Sequence, residues 1–300
     1  MSGLRHGGAG ALKMNDRPAL QASARLQPEL TVSIEGRRWR ANTLQAFDLS
    51  IPLDFTGPQP TFFGAQRAEA QPLQAGTFIG DVRQGGSVNC ARYSLTPHCN
   101  GTHTECLGHV TIESRSVRSL APAHPIMCVV VSVTPENFES TEERSTHVSQ
   151  PGDRLVTRKS LQGATSQLVP FPGGALVIRT LPNDSGKLAR NHDEGAGPPY
   201  LSEQAAEWLV SSNIEHLIVD LPSIDRASDE GRLTAHRIFW GMPSGATAAS
   251  SATRAHATIT ELAFVDNSVP DGAYLLSLQV APFEADAAPS RPILYPLVPA

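Results

Sequence analysis

Three short, almost uninterrupted apolar runs constrain this chain more than any other feature. They are Met127 to Val133 (Met-Cys-Val-Val-Val-Ser-Val), Ala175 to Thr180 (Ala-Leu-Val-Ile-Arg-Thr) and His216 to Leu221 (His-Leu-Ile-Val-Asp-Leu). Runs this short and this rich in β-branched residues read as strands buried on both faces. Between the second and third lies a mostly polar stretch, Pro182 to Pro199, which reads as a long loop of the kind that often carries function. Ser202 then caps a predicted helix from Glu203 to about Ser211, with Leu201, Ala205, Trp208 and Leu209 on its core side and Asn213 at its end. Strand, loop, helix, strand is a βαβ-like rhythm, so the expected fold class is α/β.

The flanking segments add strands without a second domain. Leu30 to Thr43 alternates around Glu35-Gly36 as a hairpin would. Asp48 to Phe55 predicts a short strand running into a Pro- and aromatic-rich loop, Thr56 to Phe63, which suits either a pocket wall or a packed turn. Cys90 to Pro97 alternates, and Ile259 to Val265 resumes apolar character. Tyr274 to Pro282 predicts a strong strand and Pro289 to Pro299 a short final one. The Ala/Ser/Thr-rich segment Ser244 to Thr258 reads as a surface insertion. Residues 1–28 lack periodicity and read as a loose arm, able to lie across a partner subunit. No repeat and no composition break divides residues 29–300, and 40% hydrophobic content supplies one real core.

A net charge of −5 gives no basic footprint, which argues against nucleic acid as a partner. No apolar run reaches the roughly 18 residues of a spanning helix, so no membrane partner is expected. Met1 to Leu20 shows no apolar signal core, and the four cysteines, Cys90, Cys99, Cys106 and Cys128, cluster without a C-x-x-C pair. The expected setting is therefore cytoplasmic, with reduced thiols.

The chemistry concentrates in Pro97 to His109 (Pro-His-Cys-Asn-Gly-Thr-His-Thr-Glu-Cys-Leu-Gly-His), which holds three of the ten histidines beside a carboxylate and two thiols. Imidazole suits zinc, copper, iron and nickel, thiolate favours zinc, and carboxylate extends the choice to manganese. His103 and Glu105 are two apart, so an extended segment turns both to one side. A metal-binding loop leaving a strand is the simplest reading, with His109 either a ligand or a free base.

Several stretches, taken in order, resemble the metal-dependent cyclase family, which includes bacterial-type kynurenine formamidases and isatin hydrolases. Gly101-Thr102-His103-x-Glu105-x-x-x-His109 is similar to the core of the family's metal motif, H-T-G-T-H-x-D-x-P-x-H. Asp220-Leu-Pro-Ser-Ile-Asp225 resembles its D-T-P-S-I-D, and Ala235-His236-Arg237 its later A-H-x element. Ile259-Thr-Glu261-Leu with Asp266 and Val269-Pro-Asp-Gly272 resembles its I-x-E-x-L…L-P-x-G segment, and Asp48-Leu-Ser its opening. The resemblance runs from about residue 45 to 297. It implies a single domain of the swivelling β/β/α type with a mixed central sheet or barrel-like core. It implies ligand roles for His103, Glu105, His236 and Glu261, with His109 as catalytic acid/base. The family's first histidine falls on either His98 or Cys99. Glu105 stands where the family has Asp, and Leu107 where it has Pro.

The resemblance further implies a divalent cation, zinc first and manganese second, as one ion or two, and a homodimer or higher homo-oligomer. The expected reaction is hydrolysis of an amide C–N bond in a small, aromatic molecule, arylformamidase-like, by hydroxide on the metal. Two other readings stay open: a cyclase, dehydratase or lactone/ester hydrolase, and a non-catalytic small-molecule-binding relative. Asp220 and Asp225 are expected to hold the loop or a ligand's second ring nitrogen. Trp240, Phe62 and Phe63 fit either an aromatic pocket or plain core.

Overall fold

The computed structural model describes residues 29–34, 36–145, 149–168 and 173–300. The arm expected over residues 1–28, and Glu35 of the first turn, lie outside them. A hairpin of β1 (Glu29–Ile34) and β2 (Arg37–Asn42) turns at Gly36, whose φ of 76° favours glycine. The main sheet then takes β3 (His103–Glu105), β4 (Ile126–Val133), β5 (Ala175–Thr180), β6 (His216–Val219), β7 (Thr258–Glu261), β8 (Gly272–Val280) and β9 (Ala287–Pro299).

These last seven strands close on themselves in the order β9-β8-β4-β5-β6-β7-β3 and back to β9. Pairs β4/β5, β5/β6 and β6/β7 are parallel, and the remaining four are antiparallel. The result is a mixed α/β fold around a closed barrel, as the sequence implied. The three apolar runs are three of its four parallel strands, and both their faces are covered. Val129, Val131, Leu176, Ile178, Leu217 and Val219 pack under the helices, while Cys128, Val130, Val177 and Ile218 meet Leu276 and Leu294 of the antiparallel half.

Four α-helices occur among the described residues: α1 (Pro97–Asn100), α2 (Arg158–Thr165), α3 (Glu203–Ser211) and α4 (Thr234–Trp240). Helix α3 has the predicted bounds. Ser202 accepts a hydrogen bond from the Ala205 amide at 2.9 Å, and Ala205 and Leu209 are fully buried. Helix α4 was not foreseen, because its first turn has no cap of its own. Asp225, far back in sequence, accepts the Ala235 and His236 amides at 2.8 and 3.1 Å.

Other expectations need correction. The segment 244–258 lies mostly at the surface, as expected, but is anchored there: Ala249, Arg254 and Ala257 are buried, and Thr258 opens β7. The final strand is the longest of all, 13 residues, because β9 pairs in turn with β3, β8 and β2. Cys90 to Pro97 forms only Ala91–Ser94, an exposed strand paired with Glu69–Pro72 outside the barrel. No helix among the described residues is long and apolar enough to cross a membrane.

Leu176 is fully buried on the helix-facing side of β5. Leu176→Ala is expected to cost about 2–5 kcal/mol, since a cavity adds to the lost transfer energy. The urea midpoint should fall with an unchanged m value; an unchanged midpoint would contradict this packing.

Candidate metal centre

Strand β3 presents His103 and Glu105 on the same face. It lies antiparallel to β7, with Glu261 opposite His103 and Ile259 opposite Glu105. Ile259 packs with Ala235 and Trp240, so this face looks towards α4. His236, in the first turn of α4, completes the approach. Its Nε2 lies 2.8 Å from Glu105 Oε1 and 3.4 Å from Glu261 Oε1. His103 Nε2 lies 3.5 Å from Glu261 Oε2. His98, on α1, brings Nδ1 to 3.1 Å from Glu105 Oε2, and His109 Nε2 stands 3.9 Å from the same oxygen.

Residues from positions 98 to 261 thus converge on one buried point. His103, Glu105, His236 and Glu261 are almost fully buried. Both oxygens of Glu105, with Nε2 of His103 and of His236, are buried without a hydrogen-bond partner. Orphaned donors and acceptors aimed at one another are costly unless something shared satisfies them. A tetrahedral zinc with ligands about 2.0–2.1 Å away holds them about 3.3 Å apart. The observed spacings of 2.8–3.5 Å surround that value. The donor set therefore fits a divalent cation. His98, His103 and Glu105 form one group of facing donors and Glu105, His236 and Glu261 a second, so these five would hold one ion or two with Glu105 shared.

Each ring's outward nitrogen is also accounted for. His103 Nδ1 lies 3.0 Å from the Gly101 carbonyl, and His236 Nδ1 lies 2.7 Å from Asp225 Oδ2. An acceptor there fixes the ring and leaves Nε2 with its lone pair inward. Asp225 thus holds a candidate ligand's second nitrogen, while Asp220 is turned away, paired with Lys187 Nζ at 2.7 Å and bonded to Thr180. Glu261 Oε1 accepts the Ile224 amide at 2.8 Å.

Without a cation His98 and His236 serve as counter-charges. Burial opposes a charged His98, but the neighbouring carboxylates of Asp286 and Glu105 raise it to about 10. Burial likewise opposes a charged His236, and Glu105, Asp225 and Glu261 outweigh it, lifting its pKa well above the usual range. Burial would raise Glu105, but His109 and His236 hold it well below the ordinary carboxylate value. Glu261 is also lowered: burial and the neighbouring Glu105 raise it, while His103 and His236 prevail.

Cys99, the alternative to His98, is buried and belongs to none of the groups of facing donors among the described residues. Burial pushes its thiol up to about 11, away from the thiolate that binds metal. Glu105 keeps its place despite the longer side chain. Leu107 is fully buried.

Asp286 was missed. Its Oδ2 lies 3.0 Å from His98 Nε2 and 3.5 Å from His109 Nδ1. Nothing in Phe283-Glu-Ala-Asp286 marks it, because its neighbours there are ordinary and its partners lie about 180 residues away. The aromatic expectations shift as well. Trp240 is core, its Nε1 donating to the Ala257 carbonyl at 3.0 Å and its ring 5.5 Å from His236. Phe62 is buried against Phe63 and edge-on to His192. The opening beside His98 and Asp286, about 720 Å³, is lined instead by Phe55, Tyr93 and Phe283.

Comparison with known proteins gives the same class. The family described as "Putative cyclase" matches residues 47–226. Isatin hydrolase A from Labrenzia aggregata, bound to benzyl benzoate, superposes with a TM-score of 0.57 at 17% identity over 84% of this chain and 93% of that one. Isatin hydrolase A from Ralstonia solanacearum gives 0.55 and 18% over 85% and 92%. A structure described as a predicted metal-dependent hydrolase from Bacillus stearothermophilus gives 0.52 and 16% over 84% and 98%. No curated protein matches the chain significantly. At these identities the structures establish a shared fold. The match over residues 47–226 does more: the chain belongs to the cyclase family.

Two outcomes test the centre. Among purified variants, His98→Ala should lower the metal bound per protomer while Cys99→Ser leaves it unchanged, measured by elemental analysis. The reverse would give the ligand role to Cys99. In metal-free protein, charged His98 stabilises the fold fully below about pH 6.5, and that stabilisation is lost as pH rises through about 10. The thermal midpoint should fall across that window, and less steeply in His98→Gln. Equal slopes would show that the His98 contacts do not stabilise the fold.

Proposed function

We propose that this chain is a metal-dependent hydrolase that cleaves an amide C–N bond of a small aromatic molecule. The observation that carries this reading is the convergence of His98, His103, Glu105, His236 and Glu261 beside a half-buried His109, at the foot of an aromatic-lined opening. Zinc is the first choice of cation and manganese the second, given imidazole and carboxylate donors. A divalent ion held there supplies a Lewis acid for a carbonyl oxygen and acidifies water.

The protein's own groups do the rest. Phe55, Tyr93 and Phe283 can seat a flat ring against the mouth, the Phe55 and Tyr93 rings being 4.6 Å apart. His109 stacks on His98, which lines that opening, and turns Nε2 towards Glu105. It takes a proton at Nε2 from the attacking water and returns it to the leaving nitrogen. The name isatin hydrolase, borne by two fold relatives, supports a cyclic aromatic amide as the first substrate to try.

Isatin and N-formylanilide are the probes, with aryl esters beside them for the ester-hydrolase alternative. Chelation should abolish turnover, and zinc or manganese should restore it. His109→Ala should keep its metal and lose turnover by about 100-fold or more. Loss of metal in that variant would make His109 a ligand. Full turnover would remove it from the reaction, and metal binding without turnover of any probe would favour a binding protein.

A further inference from the structure

Asp286 sits just before the register in which β9 closes the barrel, where Ala287 pairs with Glu105. Its carbonyl accepts the Cys106 amide at 2.9 Å, and the neighbouring Ala285 carbonyl accepts the Val117 amide at 2.9 Å. The residue is therefore held by backbone bonds on the candidate metal loop's own turn. Gly108 allows the approach. A Cβ there would meet the Asp286 Cβ at 3.0 Å and the Arg115 carbonyl at 2.7 Å.

The two rings it faces are stacked, centroids 4.3 Å apart and 29° from parallel, so both present an edge to one carboxylate. The contacts are to His98 Nε2 and His109 Nδ1, the nitrogens turned away from Glu105. Gly101 and Asp225 occupy the corresponding outward places on His103 and His236. Asp286 thus completes a pattern in which all four imidazoles have an acceptor behind them.

We propose that Asp286 is a positioning residue shared by His98 and His109. It accepts from the outer N–H of each ring and so fixes which nitrogen of each faces the cation site. One carboxylate then orients a metal-holding ring and the acid/base ring together, so the two move as a unit. Through His109, Asp286 sets the direction of proton transfer without touching the reacting atoms. The catalytic half of this inference rests on the acid/base role proposed above for His109.

Asp286→Asn tests it with little change of shape. Both rings meet the same oxygen, Oδ2: a neutral amide oxygen there holds each N–H more weakly than a carboxylate does, and an NH₂ group there would oppose both, so the rings are freed to take the other tautomer. Zinc-loaded, ¹⁵N-labelled protein should show His98 as the Nε2–H form and His109 as the Nδ1–H form in two-bond ¹H–¹⁵N spectra. In Asp286→Asn at least one of these assignments should change. Zinc affinity by chelator competition should weaken by about 10-fold at unchanged stoichiometry, the scale on which outer partners of metal ligands act. With N-formylanilide, kcat should fall by about 10- to 100-fold and KM by less than about 3-fold. Unchanged ring signals with wild-type zinc affinity would overturn the proposal. Loss of one zinc per protomer would overturn it too, by making Asp286 a ligand. If His109→Ala keeps full turnover, the acid/base reading fails instead, and the ring signals of Asp286→Asn still decide whether the residue orients both rings.

Discussion

Two carboxylates, Glu105 and Glu261, share one buried spot, and the positive charge they require governs the rest of this site. Neither faces solvent, and each raises the cost of ionising the other. Burial alone would neutralise both. What keeps them ionised is a shell of imidazoles, with His236 Nε2 within 3.4 Å of both and His98 and His103 on either side. A divalent cation answers the same need more completely and also satisfies the orphaned atoms of His103, Glu105 and His236. Seen this way the centre is a consequence of charge placed in a dry interior, with the histidines filling whichever of the two roles the cation leaves them.

Such a spot needs a rigid frame, and barrel closure supplies it. Strand β3 has only three residues, too few to stand alone, but β7 and β9 bind its two edges. That double pairing fixes His103 opposite Glu261 and sets Asp286 next to His98 and His109. The face away from the cation is tied as well, by a 2.8 Å hydrogen bond between Thr104 and Thr260. On the other side, Asp225 holds the first turn of α4 and the ring of His236 at once. A single side chain therefore couples helix position to the direction in which Nε2 points.

Much of this could be read from the residues. The runs at 127, 175 and 216 became parallel barrel strands because continuous β-branched sequence has nowhere to go but an interior covered on both faces. Ser202 announced its helix because a hydroxyl can satisfy a free amide three residues on. His103 and Glu105 were expected on one side from strand periodicity alone. Helix α4 escaped notice for the opposite reason, since its cap comes from Asp225 and not from the residue before it. The segment 244–258 is mostly surface, as its small polar residues suggest, but its buried anchors Ala249 and Ala257 could not be told from their neighbours because the partner that buries them is out of sight.

By itself, the sequence determined the local chemistry: which residues can hold a cation, which runs must be buried, and which family the order of motifs belongs to. These follow from side-chain type and short-range periodicity, which do not depend on the distant chain. Only the tertiary structure decided that His98 and not Cys99 faces Glu105, that Phe55, Tyr93 and Phe283 line the mouth, and that Asp286 stands behind two rings. The places of Phe283 and Asp286 depend on β9 closing against β3 from more than a hundred residues away, and the register of such a closure is a property of the whole sheet.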